Sequence, residues 1–137
     1  MVTFDDFSAL RGREAGDPEV GGFLQLCSDR RFHRKIMDEF ERVTGLGPTD
    51  YYIEARPGGA ASWADTTRMA RLAYRSGAGF MGWAGHGDAC AGFHGTTNAE
   101  LRRKLDRTAR RRAGDFPRAT HYLLFAENGD VEALRIA

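Results

Sequence analysis

A chain of 137 residues, 42% hydrophobic and 28% charged, is sized for one folded domain and too apolar to stay disordered. Its formal net charge of +1 gives no global electrostatic pull toward nucleic acid or an anionic membrane, and the bias to 18 arginines over 2 lysines reads as base composition. No apolar run approaches the roughly 18–20 residues that span a bilayer, and the opening MVTFDDFSALRGRE lacks the charged-then-apolar order of a signal peptide. The expectation is a cytoplasmic protein with no membrane partner, in which Cys27 and Cys90 remain thiols available for catalysis or metal binding.

Residues 1–20 are polar and punctuated by Gly and Pro, and read as an N-terminal arm ahead of a single domain over 21–137. GGFLQLC, from Gly21 to Cys27, predicts a short buried strand. RFHRKIMDEFERVTG follows, with Phe32, Ile36, Phe40 and Val43 on one helical face and Gly45 as the stop. DYYIEA predicts a second strand, closed by RPGG. Ser62 with Asp65 resembles a capping box that opens a helix to about Ser76. AGFMGWAGH is the third strand, ending at His86. Thr97 with Glu100 opens another helix to about Ala113, and Pro117 stops that segment. THYLLFAENGDVEALRI then reads as a hairpin about Asn128-Gly129.

Strands that alternate with helices call for a mostly parallel twisted sheet with helices on its faces, and the last hairpin adds an antiparallel strand. The predicted class is therefore a single α/β domain with strand order 2-1-3-4. In that order Cys27 ends the first strand beside His86 at the end of the third, and Cys90 lies in the following loop. Two thiolates and an imidazole form a soft N/S set suited to Zn²⁺, and three protein ligands leave a fourth tetrahedral position open. In CSDRR, Asp29 stands next to Arg31, which favours its ionised form. Such a carboxylate can accept a hydrogen bond from a zinc-bound hydroxide or take the fourth zinc position itself. The bland alternatives are two small buried cysteines, an Asp29 that caps the first helix, and a solvated Arg31.

Cys27-x-Asp29-x-Arg31 after the first strand, with His86 59 positions after Cys27 and Cys90 in the next loop, resembles the β-class carbonic anhydrases. The likeness runs over roughly residues 20 to 136, including the small-residue PGG after the second strand and the late hairpin. The family pattern is His-x-x-Cys, whereas this chain has His-x-x-x-Cys, one residue longer; a Gly/Ala-rich loop can bulge to absorb it. The chain also lacks the family's asparagine-containing stretch after strand two.

The resemblance implies Zn²⁺ held by Cys27, His86 and Cys90, with Asp29 and Arg31 as the catalytic pair. It implies hydration of carbon dioxide to bicarbonate by a zinc-bound hydroxide, and a homodimer or higher homo-oligomer. Two alternatives stand beside it: a diverged zinc-binding member without catalysis, and a hydrolase of a related small molecule such as carbonyl sulfide or carbon disulfide. His94 is a candidate alternative ligand or proton shuttle, since an unperturbed imidazole titrates near pH 6.5. Asp88 is a similar outside candidate, and His33 and His121 have no visible partner. In RRKLDRTARRR, Leu101, Leu105 and Ala109 form one helical stripe, so the arginines read as a solvated face and no nucleic-acid partner is expected.

Overall fold

The computed structural model describes residues 20–61, 68–90 and 95–137. Strand β1 spans Gly22–Cys27, β2 Tyr51–Arg56, β3 Phe80–His86, β4 Thr120–Glu127 and β5 Asp130–Arg135. They form one sheet in the order β2-β1-β3-β4-β5. β1 runs parallel to β2 and β3, and β3 parallel to β4, while β5 closes antiparallel on β4. The expected α/β class and strand order both hold. The hairpin turn places Asn128 at φ 53° and Gly129 at φ 82°. Two successive positive φ angles match the right-handed twist of the flanking strands, which is why Asn-Gly is used there.

Period-two alternation along the central strands fills both faces of the sheet. Phe23, Met81, Trp83, Leu123 and Phe125 point to one face, Leu24, Leu26, Ala84, Leu124 and Ala126 to the other. Helix α1, His33–Thr44, covers the second face with Ile36 and Phe40, both fully buried. Each such side chain contributes about 1.5–3 kcal/mol of burial. Gly45 ends α1 at φ 78°, with its N–H donating to the Glu41 carbonyl at 2.9 Å.

The first face is covered by α2, Arg68–Arg75, through Ala70 and Ala73, and by α3, Asn98–Asp115, through Leu101, Leu105 and Ala109. The buried stripe of α3 leaves Arg103, Arg107, Arg110 and Arg111 exposed, Arg112 is largely covered, and Arg102 pairs with Glu132 at 2.8 Å. Thr97 caps α3, its side chain accepting from the Glu100 N–H at 3.2 Å. The helix runs two residues past the expected end, to a cap at Phe116. The capping box at Ser62 and Asp65 lies outside the described residues.

Sequence pattern did not foresee the role of His121. It is fully buried, its Nδ1 accepts from the Trp83 indole N–H at 2.9 Å, and its Nε2 donates to the Phe116 carbonyl at 2.8 Å. Both ring nitrogens are satisfied in the neutral tautomer, and burial holds the imidazole below its ordinary pKa. Trp83 stacks on His121 and on Phe116. His121 is thus a core residue with satisfied polar atoms.

Candidate metal centre

Parallel strands end together, and their carboxyl ends form the edge where ligands collect in open α/β sheets. Here β1 ends at Cys27 and β3 at His86. Cys90 returns from the following loop, and one ligand atom from each of the three residues lies within 4.8 Å of the others. All three are buried, at 4%, 2% and 3% exposure.

His86 is aimed by its own loop. Its Nδ1 lies 2.7 Å from the Gly87 carbonyl, so Nδ1 carries the proton and donates. That leaves Nε2 facing the Cys27 Sγ at 3.2 Å. Fixing one imidazole nitrogen on a carbonyl is how proteins present the other as a ligand. Phe32 stacks on the His86 ring with centroids 4.5 Å apart, and the Arg31 guanidinium lies over the Phe32 ring at 4.9 Å.

The Cys27 sulfur also receives help from the backbone. Burial pushes its thiol up, but the His86 hydrogen bond and the N–H groups of Asp29 and Gly58 outweigh it and bring it down to about 7. His86 moves the opposite way. Burial presses it down, yet the Cys27 and Gly87 partners raise it above its ordinary value. Gly58 reaches the sulfur because a short 3₁₀ turn, Gly59–Ala61, packs on the ends of β1 and β3. A Cβ on Gly59 would stand 2.3 Å from the Ala84 carbonyl oxygen and 2.8 Å from the Cys27 nitrogen. Only glycine permits that approach.

Asp29 and Arg31 form a fork. The guanidinium donates to both carboxylate oxygens, at 3.1, 3.2 and 2.8 Å, and the Arg31 N–H adds a contact at 2.9 Å. The Arg31 hydrogen bonds hold the Asp29 carboxyl down at about 2. The other carboxylate oxygen face points inward, with Oδ2 3.6 Å from His86 Nε2. Asp29 also shapes the turn that enters α1: its Oδ1 accepts the Arg31 backbone N–H at 2.9 Å and its carbonyl accepts the N–H groups of Phe32 and His33 at 3.2 and 3.3 Å, while Phe32, the N-cap of α1, makes no side-chain capping bond. Arg31 is half exposed but tied on both sides, its Nη2 donating also to the Ala89 carbonyl at 3.2 Å.

Five expected residues therefore stand together: Cys27, His86 and Cys90 as a buried triad, Asp29 and Arg31 beside it. His94 lies outside the described residues, and His33 opens α1. Two neighbours were not foreseen, Gly58 and Phe32, and Asp88, an outside candidate for the site, acts through hydrogen bonds to Asn98 and the Asn128 N–H that local pattern does not encode. The one available hint was Phe32, an apolar residue directly after the Asp-x-Arg run.

The longer His-to-Cys loop is accommodated by two successive left-handed residues, Asp88 at φ 55° and Ala89 at φ 64°. No protein-family model matches the sequence, and no curated protein matches it. Comparison with solved structures finds a similar chain described in crystal structures of two tetrameric β-carbonic anhydrases from the filamentous ascomycete Sordaria macrospora. The superposition has a TM-score of 0.51 at 13% identity, covering 98% of this chain and 93% of that one. The chain has a β-carbonic anhydrase fold. Within that fold the buried Cys-His-Cys group can hold a metal ion. Among the described residues no helix is long and apolar enough to cross a membrane.

Proposed function

We propose that the chain is a zinc-dependent carbonic anhydrase of the β type, hydrating carbon dioxide to bicarbonate. The observation that carries this is the buried Cys27–His86–Cys90 triad, its atoms within 4.8 Å, with an arginine-held carboxylate beside it in a β-carbonic anhydrase fold. The donor set fits the metal. Two sulfurs and one imidazole nitrogen are soft, and with Nδ1 of His86 held by the Gly87 carbonyl, Nε2 is the nitrogen left to hold the metal once its proton is given up. When bound there, zinc would supply Lewis acidity that brings the deprotonation of water to about neutral pH.

The chain's own residues supply the rest. Cys27, His86 and Cys90 would hold the metal with three protein donors, which would leave room for a water as reactant. Asp29 is engaged by Arg31 on both oxygens and stands outside the triad, which supports an open site over one closed by Asp29. Asp29 Oδ2 is placed to accept the hydrogen of the attacking oxygen, aiming its lone pair at the carbon of the substrate. Arg31 keeps that carboxylate ionised and oriented. Phe32, stacked on His86, makes one dry wall. The tetrameric assembly of the similar proteins supports a homo-oligomer of at least two chains, and the two thiols support a cytoplasmic setting.

The left-handed pair at Asp88 and Ala89 favours a second reading, a zinc-binding protein of this fold without turnover, because the altered loop changes how Cys90 enters the site. Elemental analysis and stopped-flow hydration of carbon dioxide separate the two. We expect about one zinc per chain and rapid hydration, with both lost in Cys90→Ser. Stoichiometric zinc without hydration of carbon dioxide, carbonyl sulfide or carbon disulfide supports the second reading. No zinc, with Cys27 and Cys90 joined in a disulfide, refutes both.

A further inference from the structure

The loop between His86 and Cys90 is one residue longer than His-x-x-Cys, and within it Asp88 is tied to other elements by both its backbone and its side chain. Asp88 makes hydrogen bonds to two separate elements. Its backbone N–H donates to Asn98 Oδ1 at 2.8 Å, and Asn98 Nδ2 donates back to its Oδ1 at 3.2 Å. Its Oδ2 accepts from the Asn128 N–H in the β4–β5 turn at 2.7 Å. Asn98 is the first residue of α3 and donates as well to Glu127 Oε1 at 3.1 Å, at the end of β4. The Gly87 N–H meets the Ala126 carbonyl at 2.8 Å. A Cβ on Gly87 would collide with the Asn98 side chain at 2.6 Å, so Gly87 is what lets Asn98 approach.

These bonds matter because the backbone they hold is unfavourable. Asp88 and Ala89 are left-handed, and a side chain with a Cβ disfavours that conformation. Two such residues in succession persist only where the surroundings over-determine them. Here the Asp88 carboxylate supplies the grip on one side, and Arg31, donating to the Ala89 carbonyl, supplies it on the other. The reversal they enforce delivers Cys90 back to Cys27 and His86.

We infer that Asp88, clamped to Asn98 and to the Asn128 turn, is a positioning residue that sets the Cys90 thiolate for metal binding. The inference rests on the metal-site reading above. Asp88 is half-buried and contributes nothing to the apolar core, so truncating it removes hydrogen bonds without opening a core cavity.

The test is zinc affinity of the full-length protein, by competition with a chromogenic chelator, together with the absorption spectrum of the cobalt-loaded form. Asp88→Ala is expected to weaken zinc by about 10–100-fold, the scale of residues that orient ligands. It should also reduce the sulfur-to-cobalt charge-transfer band toward that of a single thiolate. Asp88→Asn, which tolerates the left-handed backbone and keeps one acceptor oxygen, is expected to recover most of both. Asn98→Ala should weaken zinc in the same direction, and it supplies the answer if Asp88→Ala does not fold. Wild-type zinc affinity and an unchanged cobalt spectrum in Asp88→Ala, or in Asn98→Ala where that variant decides, overturn the inference and leave the metal site standing. Failure of the wild-type protein to bind either metal overturns the metal site itself, and the inference with it.

Discussion

Gly59→Ala tests whether the 3₁₀ turn is held against the metal centre as closely as the structure describes. The added methyl meets three backbone atoms: the Ala84 carbonyl oxygen at 2.3 Å, the Cys27 nitrogen at 2.8 Å and the Leu26 carbonyl carbon at 3.1 Å. None of these belongs to a flexible side chain that could swing away. The residue is also left-handed, at φ 56°. Placing a Cβ in that conformation costs about 1–2 kcal/mol, and forcing a methyl into filled space adds about 1–3 kcal/mol. The sum is about 2–5 kcal/mol.

Gly45→Ala is the matched control. It is left-handed at φ 78°, with nothing within 4 Å of the new methyl, so only the conformational cost of about 1–2 kcal/mol applies. Urea unfolding of the metal-free proteins at one pH reads both. We expect Gly59→Ala to lose about 1–3 kcal/mol more than Gly45→Ala. Because the turn must move to relieve the clash, the Gly58 N–H should leave the Cys27 sulfur, and the thiol should titrate above about 7. Equal losses in the two variants, within about 0.5 kcal/mol, would refute the claim of close approach at Gly59.

Two titrations follow from other groups. In metal-free Cys90→Ser, the ultraviolet absorbance of the Cys27 thiolate should rise with a midpoint of about 7, and His86→Gln should move it upward, since the opposing burial then stands with less compensation; an unmoved midpoint in His86→Gln would remove His86 as the cause. His121 acts on stability instead. Its folded pKa lies below the roughly 6.5 of an unfolded imidazole, so the unfolded chain binds the extra proton first. Stability should therefore be full above about pH 6.5 and fall by up to about 1.4 kcal/mol per pH unit below it, until the folded pKa is reached. In urea unfolding, His121→Gln should lose part of that acid slope, and an identical slope in both proteins would sink the assignment.

The readable part of this molecule is the part built from short-range pattern. The short apolar runs GGFLQLC and AGFMGWAGH, the i, i+4 spacing of Phe32, Ile36 and Phe40, the Thr97 cap and the Asn128-Gly129 turn each depend on neighbours within one element. Each of those elements forms where the pattern placed it. Strand order then follows from handed crossovers, and it alone brings Cys27 beside His86. The unread part consists of contacts between elements. Trp83 with His121, Phe32 with His86, and Gly58 with the Cys27 sulfur join residues whose partners are set by packing.

The His-x-x-x-Cys loop shows why that distinction bears on function. Counting residues made its extra position look like a mismatch in ligand geometry. Spacing along a chain, however, constrains distance only for a given set of backbone angles. Two left-handed residues turn the longer segment back on itself, and their conformation is secured by Asn98, ten positions on, by Asn128, forty positions on, and by Arg31, on the far side of the site. The loop therefore couples three elements to one ligand: the start of α3, the turn of the hairpin and the Asp29–Arg31 fork. A change in any of them should be felt at Cys90, because Asp88 and Ala89, the residues those contacts hold, are not themselves buried in the core.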